Sequence, residues 1–223
     1  MTRRCLLELN VAQTSVKILE KDFVSIKKPD YLAINPMGTV PALEAGSMVM
    51  WESGAVLDFL LEQFDTSYTL YPAPITPEAS KDHVAKRAKY LQLKQYIIAT
   101  VYPFVASLVI HKLSKPAAEQ DPDYIESATK RINEVFIPVL SKLLGQGPFF
   151  LGPDVSAVDL LAGKPLKNLD QLGLLAQSPS LQALFERISS RPSFDKAYTT
   201  LSHEFDQSRA IVLVPSKTET KSS

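Results

Sequence analysis

Cysteine is nearly absent from this chain: Cys5 is the only one in 223 residues. No intrachain disulfide can form, which excludes a secreted disulfide scaffold and makes a reducing compartment, the cytoplasm, the expected location. Charge of one sign is also missing, since Lys and Arg number 24 against 24 Asp and Glu. Without a net field to draw in phosphate backbones or anionic lipid, neither nucleic acid nor a membrane surface is expected as partner. Long apolar runs are lacking too. The longest, around Tyr96 to Ile110, is broken by Thr100, Pro103 and Ser107 and falls short of the roughly 20 apolar residues of a spanning helix, so it reads as a buried helix. The start of the chain has Glu8 inside an apolar run too short for a signal peptide. Histidine is scarce and scattered. His83, His111 and His203 have no second His or carboxylate at zinc-site spacing, and no metal is expected. Gly163-Lys164 lacks the upstream glycine and the following Ser or Thr of a phosphate loop and reads as a helix interruption.

What is present suits a globular protein: 45% hydrophobic and 22% charged residues supply a sizeable core. Two modest domains or one large one would account for the length. Residues 3 to 12, with Leu6, Leu7, Leu9 and Val11, suit either a short helix or a strand. A strand is predicted over 15–21, and Val40 to Glu44 and Met48 to Trp51 flank Gly46 as a hairpin. Ala55, Val56, Phe59, Leu60 and Phe64 then have helical spacing, preceded by Ser53 as a possible cap. Pro72, Pro74 and Pro77 mark a linker at 68–79 between a first domain over 1–67 and a second over 80–213. Beyond the linker only helical periodicity appears, over 80–113, 123–144, 156–176 and 180–200. Residues 214–223 are predicted to form a flexible tail, because Ser216 to Ser223 contains no apolar residue to offset its ordering entropy.

The run Tyr31-Leu32-Ala33-Ile34-Asn35-Pro36-Met37-Gly38-Thr39-Val40-Pro41-Ala42-Leu43, followed by Trp51-Glu52-Ser53-Gly54-Ala55-Val56, resembles the signature of the cytosolic glutathione transferases. Phe150-Leu151-Gly152-Pro153-Asp154-Val155-Ser156-Ala157-Val158-Asp159 is similar to that family's helical-domain folding motif, with Ser156 and Asp159 at capping-box spacing. The resemblance implies an α+β N-terminal thioredoxin-like domain followed by an all-α helical-bundle domain. It implies a cis Val40-Pro41 bond and backbone groups at Val40 that pair with the cysteinyl part of glutathione, in the manner of an added β-strand. Ser53 and the helix start behind it would face the γ-glutamyl carboxylate, and Glu52 the ammonium group. Thr39 stands where relatives often carry a basic residue for the glycyl carboxylate.

The family's catalytic Ser, Tyr or Cys follows a first strand that is central in the sheet. If Thr2 to Leu9 matches the helix after it, that strand would precede Met1. Three readings stay open: an incomplete chain start, residues 3 to 9 acting as the strand, or a non-catalytic relative. Thr2 and Cys5 are the hydroxyl and thiol candidates near that place, Thr2 otherwise a cap or frayed end and Cys5 otherwise core. On the long helix after the linker, Tyr90, Tyr96, Tyr102 and Phe104 are candidates to touch a hydrophobic electrophile, with Tyr96 and Thr100 the leading ones, held in the family between the two domains. The implied activity is glutathione S-transferase, with glutathione as co-substrate, no bound cofactor, a detoxifying role and a homodimeric state. A non-catalytic binding or scaffold protein on the same fold, and a disulfide reductase using Cys5, are the alternatives.

Overall fold

The computed structural model describes residues 2–11, 16–22, 24–198 and 210–215. In chain order its main elements are α1 (Thr2–Glu8), β1 (Val16–Lys21), α2 (Pro29–Leu32), β2 (Ala42–Ala45), β3 (Met48–Trp51), α3 (Ser53–Phe64) and α4 (Lys81–Gln95). There follow α5 (Tyr102–Val109), α6 (Pro122–Arg131), α7 (Ile137–Leu144), α8 (Ala157–Gln171), α9 (Pro179–Ser189), α10 (Pro192–Tyr198) and β4 (Ala210–Pro215). They form two compact units, one of Met1–Ser67 with Pro192–Ser223 and one of Tyr68–Arg191.

In the first unit, the ambiguous start of the chain is helical. Thr2, Cys5 and Leu6 are buried at i, i+3 and i+4, the spacing of one helix face, so residues 3 to 9 do not supply a strand. The sheet has four strands in the order β1-β4-β2-β3. β4 runs antiparallel to β1, from Val16 opposite Pro215 to Lys21 opposite Ala210. It runs parallel to β2, with Ala42 opposite Val212 and Leu43 opposite Leu213. The position between β1 and β2 is therefore held by residues 210–215. This corrects the helical domain over 80–213 and the tail from 214: residues 210–215 are strand, and of that tail 216–223 lie outside the described residues. Ile211-Val212-Leu213-Val214 is rich in β-branched residues, which favour an extended backbone.

Successive residues of a strand face opposite sides of a sheet. Leu43 accordingly joins Leu6, Val16, Val56 and Leu60 in one core cluster, and Ala42 joins Ile26 and Tyr31 in another. α10 is tied to α1 by polar contacts, which explains why it belongs to this unit. The Arg4 guanidinium lies 5.0 Å over the Phe194 ring, and the Ser193 hydroxyl donates to the Glu8 carboxylate.

The second unit is helical. Lys81–Ser114 is one continuous helix, with π-helical turns at Tyr96–Val101 and Ile110–Ser114. By length and composition alone it is apolar enough to cross a membrane, which corrects the expectation that this stretch is too short. Its fully buried residues Leu93, Ile97, Val101, Val105 and Leu108 recur at three- and four-residue intervals and give it a core-facing ridge. α8 is buried along most of its length, and Gly163-Lys164 and Pro165 lie within it rather than interrupting it. Its start is fixed by Asp159, whose carboxylate accepts from the Phe150 N–H at 2.9 Å, the Ser156 N–H at 2.8 Å and the Ser156 hydroxyl at 2.5 Å. The segment after Ser67 is anchored here as well. The Arg87 guanidinium donates to the Pro72 carbonyl at 2.5 Å and lies over the rings of Tyr71 and Tyr90.

Candidate functional site

The loop before β2 is shaped by two buried polar side chains. Asn35 is 0% exposed and Tyr31 1%, and both aim at one acceptor. The Tyr31 hydroxyl donates to the Thr39 carbonyl at 2.7 Å and the Asn35 amide donates to the same oxygen at 2.8 Å. The Asn35 amide also reaches the Thr39 hydroxyl at 3.1 Å, while its own oxygen accepts from the Met37 N–H at 3.0 Å. Burial pushes the Tyr31 hydroxyl above its ordinary pKa, opposed by its Asn35 contact, so it remains a donor at neutral pH. Gly38 sits at φ +57°, where an added Cβ would lie 2.9 Å from the Ile26 carbonyl oxygen. The turn therefore requires glycine. Val40–Pro41 follows with a cis peptide bond, as the resemblance implied.

The hairpin carries this loop to the start of α3. β2 and β3 pair with Ala42 opposite Trp51, so Val40–Pro41 and Glu52–Ser53 leave the sheet side by side at the same end. Glu52 is exposed and has φ +79° and ψ +119°, a conformation rare for a residue with a side chain. It occupies the N-cap of α3 without a side-chain cap bond. Ser53 is the first helical residue, not the cap that sequence spacing suggested. Buried Val56, Leu57, Leu60 and Leu61 hold α3 in place. The uncapped first turn presents backbone N–H groups suited to an anion, with a carboxylate beside them suited to a cation. Lys27, given no role by the sequence, adds a positive charge on the other side of the loop: its ammonium donates to the Gly38 carbonyl at 2.7 Å, one residue before Thr39.

Residues 1–62 match the family model described as Glutathione S-transferase, N-terminal domain, and residues 102–199 match Glutathione S-transferase, C-terminal domain. The chain belongs to the glutathione S-transferase family. Among relatives, it is 28% identical over 182 residues to Glutathione S-transferase 3 of Zea mays, covering 78% of this chain and 77% of the relative. It is 26% identical over 204 residues to Glutathione S-transferase hmp2 of Hypomyces subiculosus, covering 85% and 93%. Among solved structures, it resembles the glutathione transferase URE2P6 of Phanerochaete chrysosporium in complex with oxidized glutathione. That likeness has a TM-score of 0.73 at 20% identity and covers 89% of each chain. It also resembles a theta class glutathione S-transferase of Xanthomonas axonopodis pv. citri with glutathione bound, with a TM-score of 0.64 at 23% identity over 87% and 88%. These likenesses establish the fold: a thioredoxin-like α+β domain with an all-helical one.

The remaining candidates in this glutathione S-transferase family member behave differently. Cys5 is 0% exposed and lies inside α1. Burial pushes its thiol up to about 12, against lowering by the N-terminal amine and Arg4, so it stays protonated at neutral pH and is no thiolate nucleophile. Thr2 is the first residue of α1 and buried, neither frayed nor an open hydroxyl. Tyr96 and Thr100 sit four residues apart on the π-helical turn Tyr96–Val101, Tyr96 half-buried and Thr100 exposed. Burial raises the Tyr96 hydroxyl's pKa, with Arg131 opposing. Tyr90 is core at 1% exposure, and Phe104 packs edge-on to Phe136 with ring centroids 4.9 Å apart. Burial raises the Tyr102 hydroxyl's pKa as well. His83 and His111 contact the backbone carbonyls of Ala73 and Ser107; His203 lies outside the described residues. Among the described residues no His, Cys, Asp and Glu cluster has the grouping of a metal site.

Proposed function

We propose that this chain binds glutathione at the shared end of β2 and β3 and transfers the glutathione thiolate to a hydrophobic electrophile, forming a thioether between its sulfur and the electrophilic atom. The observation that carries the reading is the register of Ala42 opposite Trp51, which brings the backbone of Val40–Pro41 and the start of α3 to the same end of the hairpin. Val40 would pair its backbone with the cysteinyl residue. Glu52 would meet the γ-glutamyl ammonium, and Ser53 with the α3 amides would meet the carboxylate beside it. Lys27 would supply, for the glycyl carboxylate, the positive charge that Thr39 cannot. Tyr96 and Thr100, in the second unit, would contact the electrophile. Location in the reducing cytoplasm, a homodimeric state and a detoxifying role belong to the same proposal and rest on the single cysteine and on family membership.

A second reading, a binding protein without turnover, draws support from the burial of Thr2 and Cys5, the two groups considered for activating the glutathione thiol. Retention on immobilised glutathione measured beside conjugation of an aromatic electrophile separates the two: both activities are expected, and retention without turnover leaves the binding reading standing. Undiminished retention in both Glu52→Ala and Ser53→Ala would sink the site assignment.

A further inference from the structure

The backbone next to the proposed ligand edge is held from both sides. On one side β2 pairs with β3, its immediate neighbour in sequence. On the other it pairs with β4 through Ala42 opposite Val212 and Leu43 opposite Leu213. Ala42 and Leu43 are both 0% exposed and directly follow Val40–Pro41. The last described strand of the chain is thus one ladder step away from the peptide-pairing edge.

We propose that Ala210–Pro215 is a positioning element of the glutathione site: its seating against Ala42 and Leu43 aims the backbone of Val40–Pro41, and its unseating turns binding off. The inference rests on the assignment of Val40, Pro41, Glu52 and Ser53 as that site. A two-stranded hairpin is marginal by itself and takes its shape from a further strand or helix. α3 helps cover the Leu43 side, but register is what must be fixed, because a slip of one residue exchanges the two faces of a strand. A slip in β2 would take Leu43 out of its cluster with Leu6 and Val56 and Ala42 out of its cluster with Tyr31. The same slip would pull the Thr39 carbonyl away from Tyr31 and Asn35. The parallel ladder to β4 fixes both the position and the direction of Ala42 and Leu43. Coupling of this kind is reciprocal, so a ligand that binds only the seated form strengthens seating by the same factor.

The test uses the full chain, with Val212→Pro and Leu213→Pro, each removing a ladder N–H, and Leu213→Ile, which keeps it. Reduced glutathione is titrated calorimetrically, and amide hydrogen exchange is followed residue by residue with and without it. The proline variants are expected to lose affinity by about tenfold or more, as befits a broken ladder in a central strand. Leu213→Ile should bind as wild type, and protection of α8 should be unchanged in all of them. In the wild type, glutathione should slow exchange at Val212 and Leu213, a readout that stands even where a proline variant fails to fold its first unit. Wild-type affinity in both proline variants, or exchange at 212 and 213 indifferent to bound glutathione, overturns the role of β4 alone. Failure of the wild type to bind glutathione overturns the site assignment beneath it.

Discussion

Two short regions of the first unit treat their polar groups in opposite ways. Between Tyr31 and Ser53, buried side chains turn inward to aim backbone outward: Tyr31 and Asn35 are spent on the Thr39 carbonyl, while Thr39 and Glu52 stay exposed. Between Thr2 and Glu8 the side chains with reactive chemistry are themselves buried, Thr2 at 6% and Cys5 at 0%. The first region is built as a receptor and the second as core. On the proposed reading, holding glutathione and activating it are therefore separate problems in this chain.

The largest effect that would break this contrast is expected from Asn35→Ala. It takes the side-chain acceptor from the Met37 N–H and removes an amide donor from the Thr39 carbonyl, at a cost of about 3 kcal/mol. Denaturant unfolding should show that loss, with retention on glutathione falling alongside. Gly38→Ala comes next, since a Cβ at positive φ would meet the Ile26 carbonyl; a loss of about 2 kcal/mol is expected, readable as a lowered thermal midpoint. Glu52→Gly sharpens the contrast by separating shape from charge. Relief of the positive φ should stabilise the fold by about 1 kcal/mol while glutathione affinity drops through loss of the carboxylate, and a parallel fall in both would refute the binding role. The smallest effect is expected from Cys5→Ser, which should leave conjugation at its wild-type rate. Cys5 does predict a pH dependence. Its folded-state pKa is raised from 9.0 to about 12, so its contribution to stability is complete below pH 9 and is lost as pH rises through the folded value. Alkaline unfolding monitored over that window should flatten in Cys5→Ser.

Local signals in the sequence led to the hairpin, α3 and the Asp159 staple, because each depends on residues close together in the chain. The Gly38-Thr39-Val40-Pro41 run located the loop, yet it did not identify Tyr31 and Asn35 as its supports, since convergence on one carbonyl is a property of the folded turn. Lys27 was missed for the same reason: its contact with Gly38 spans a turn of the chain that periodicity does not describe. At the chain start, one apolar cluster fitted two periods, and tertiary burial chose the helix. The strand at Ala210–Pro215 was overlooked although Ile211-Val212-Leu213-Val214 has strand composition, because its partners lie in β1 and β2. No local pattern announces a pairing with residues at the other end of the chain.

That pairing also bears on how the protein is made. Tyr68–Arg191 is contiguous and can pack as soon as it leaves the ribosome, whereas β1 must wait for β4 across roughly 200 residues, a separation that slows closure. The nascent chain should therefore carry an unfinished sheet ahead of a finished helical bundle, leaving the flanks of β1 and β2 exposed until β4 emerges. During synthesis, that interval is when this protein would most need a chaperone.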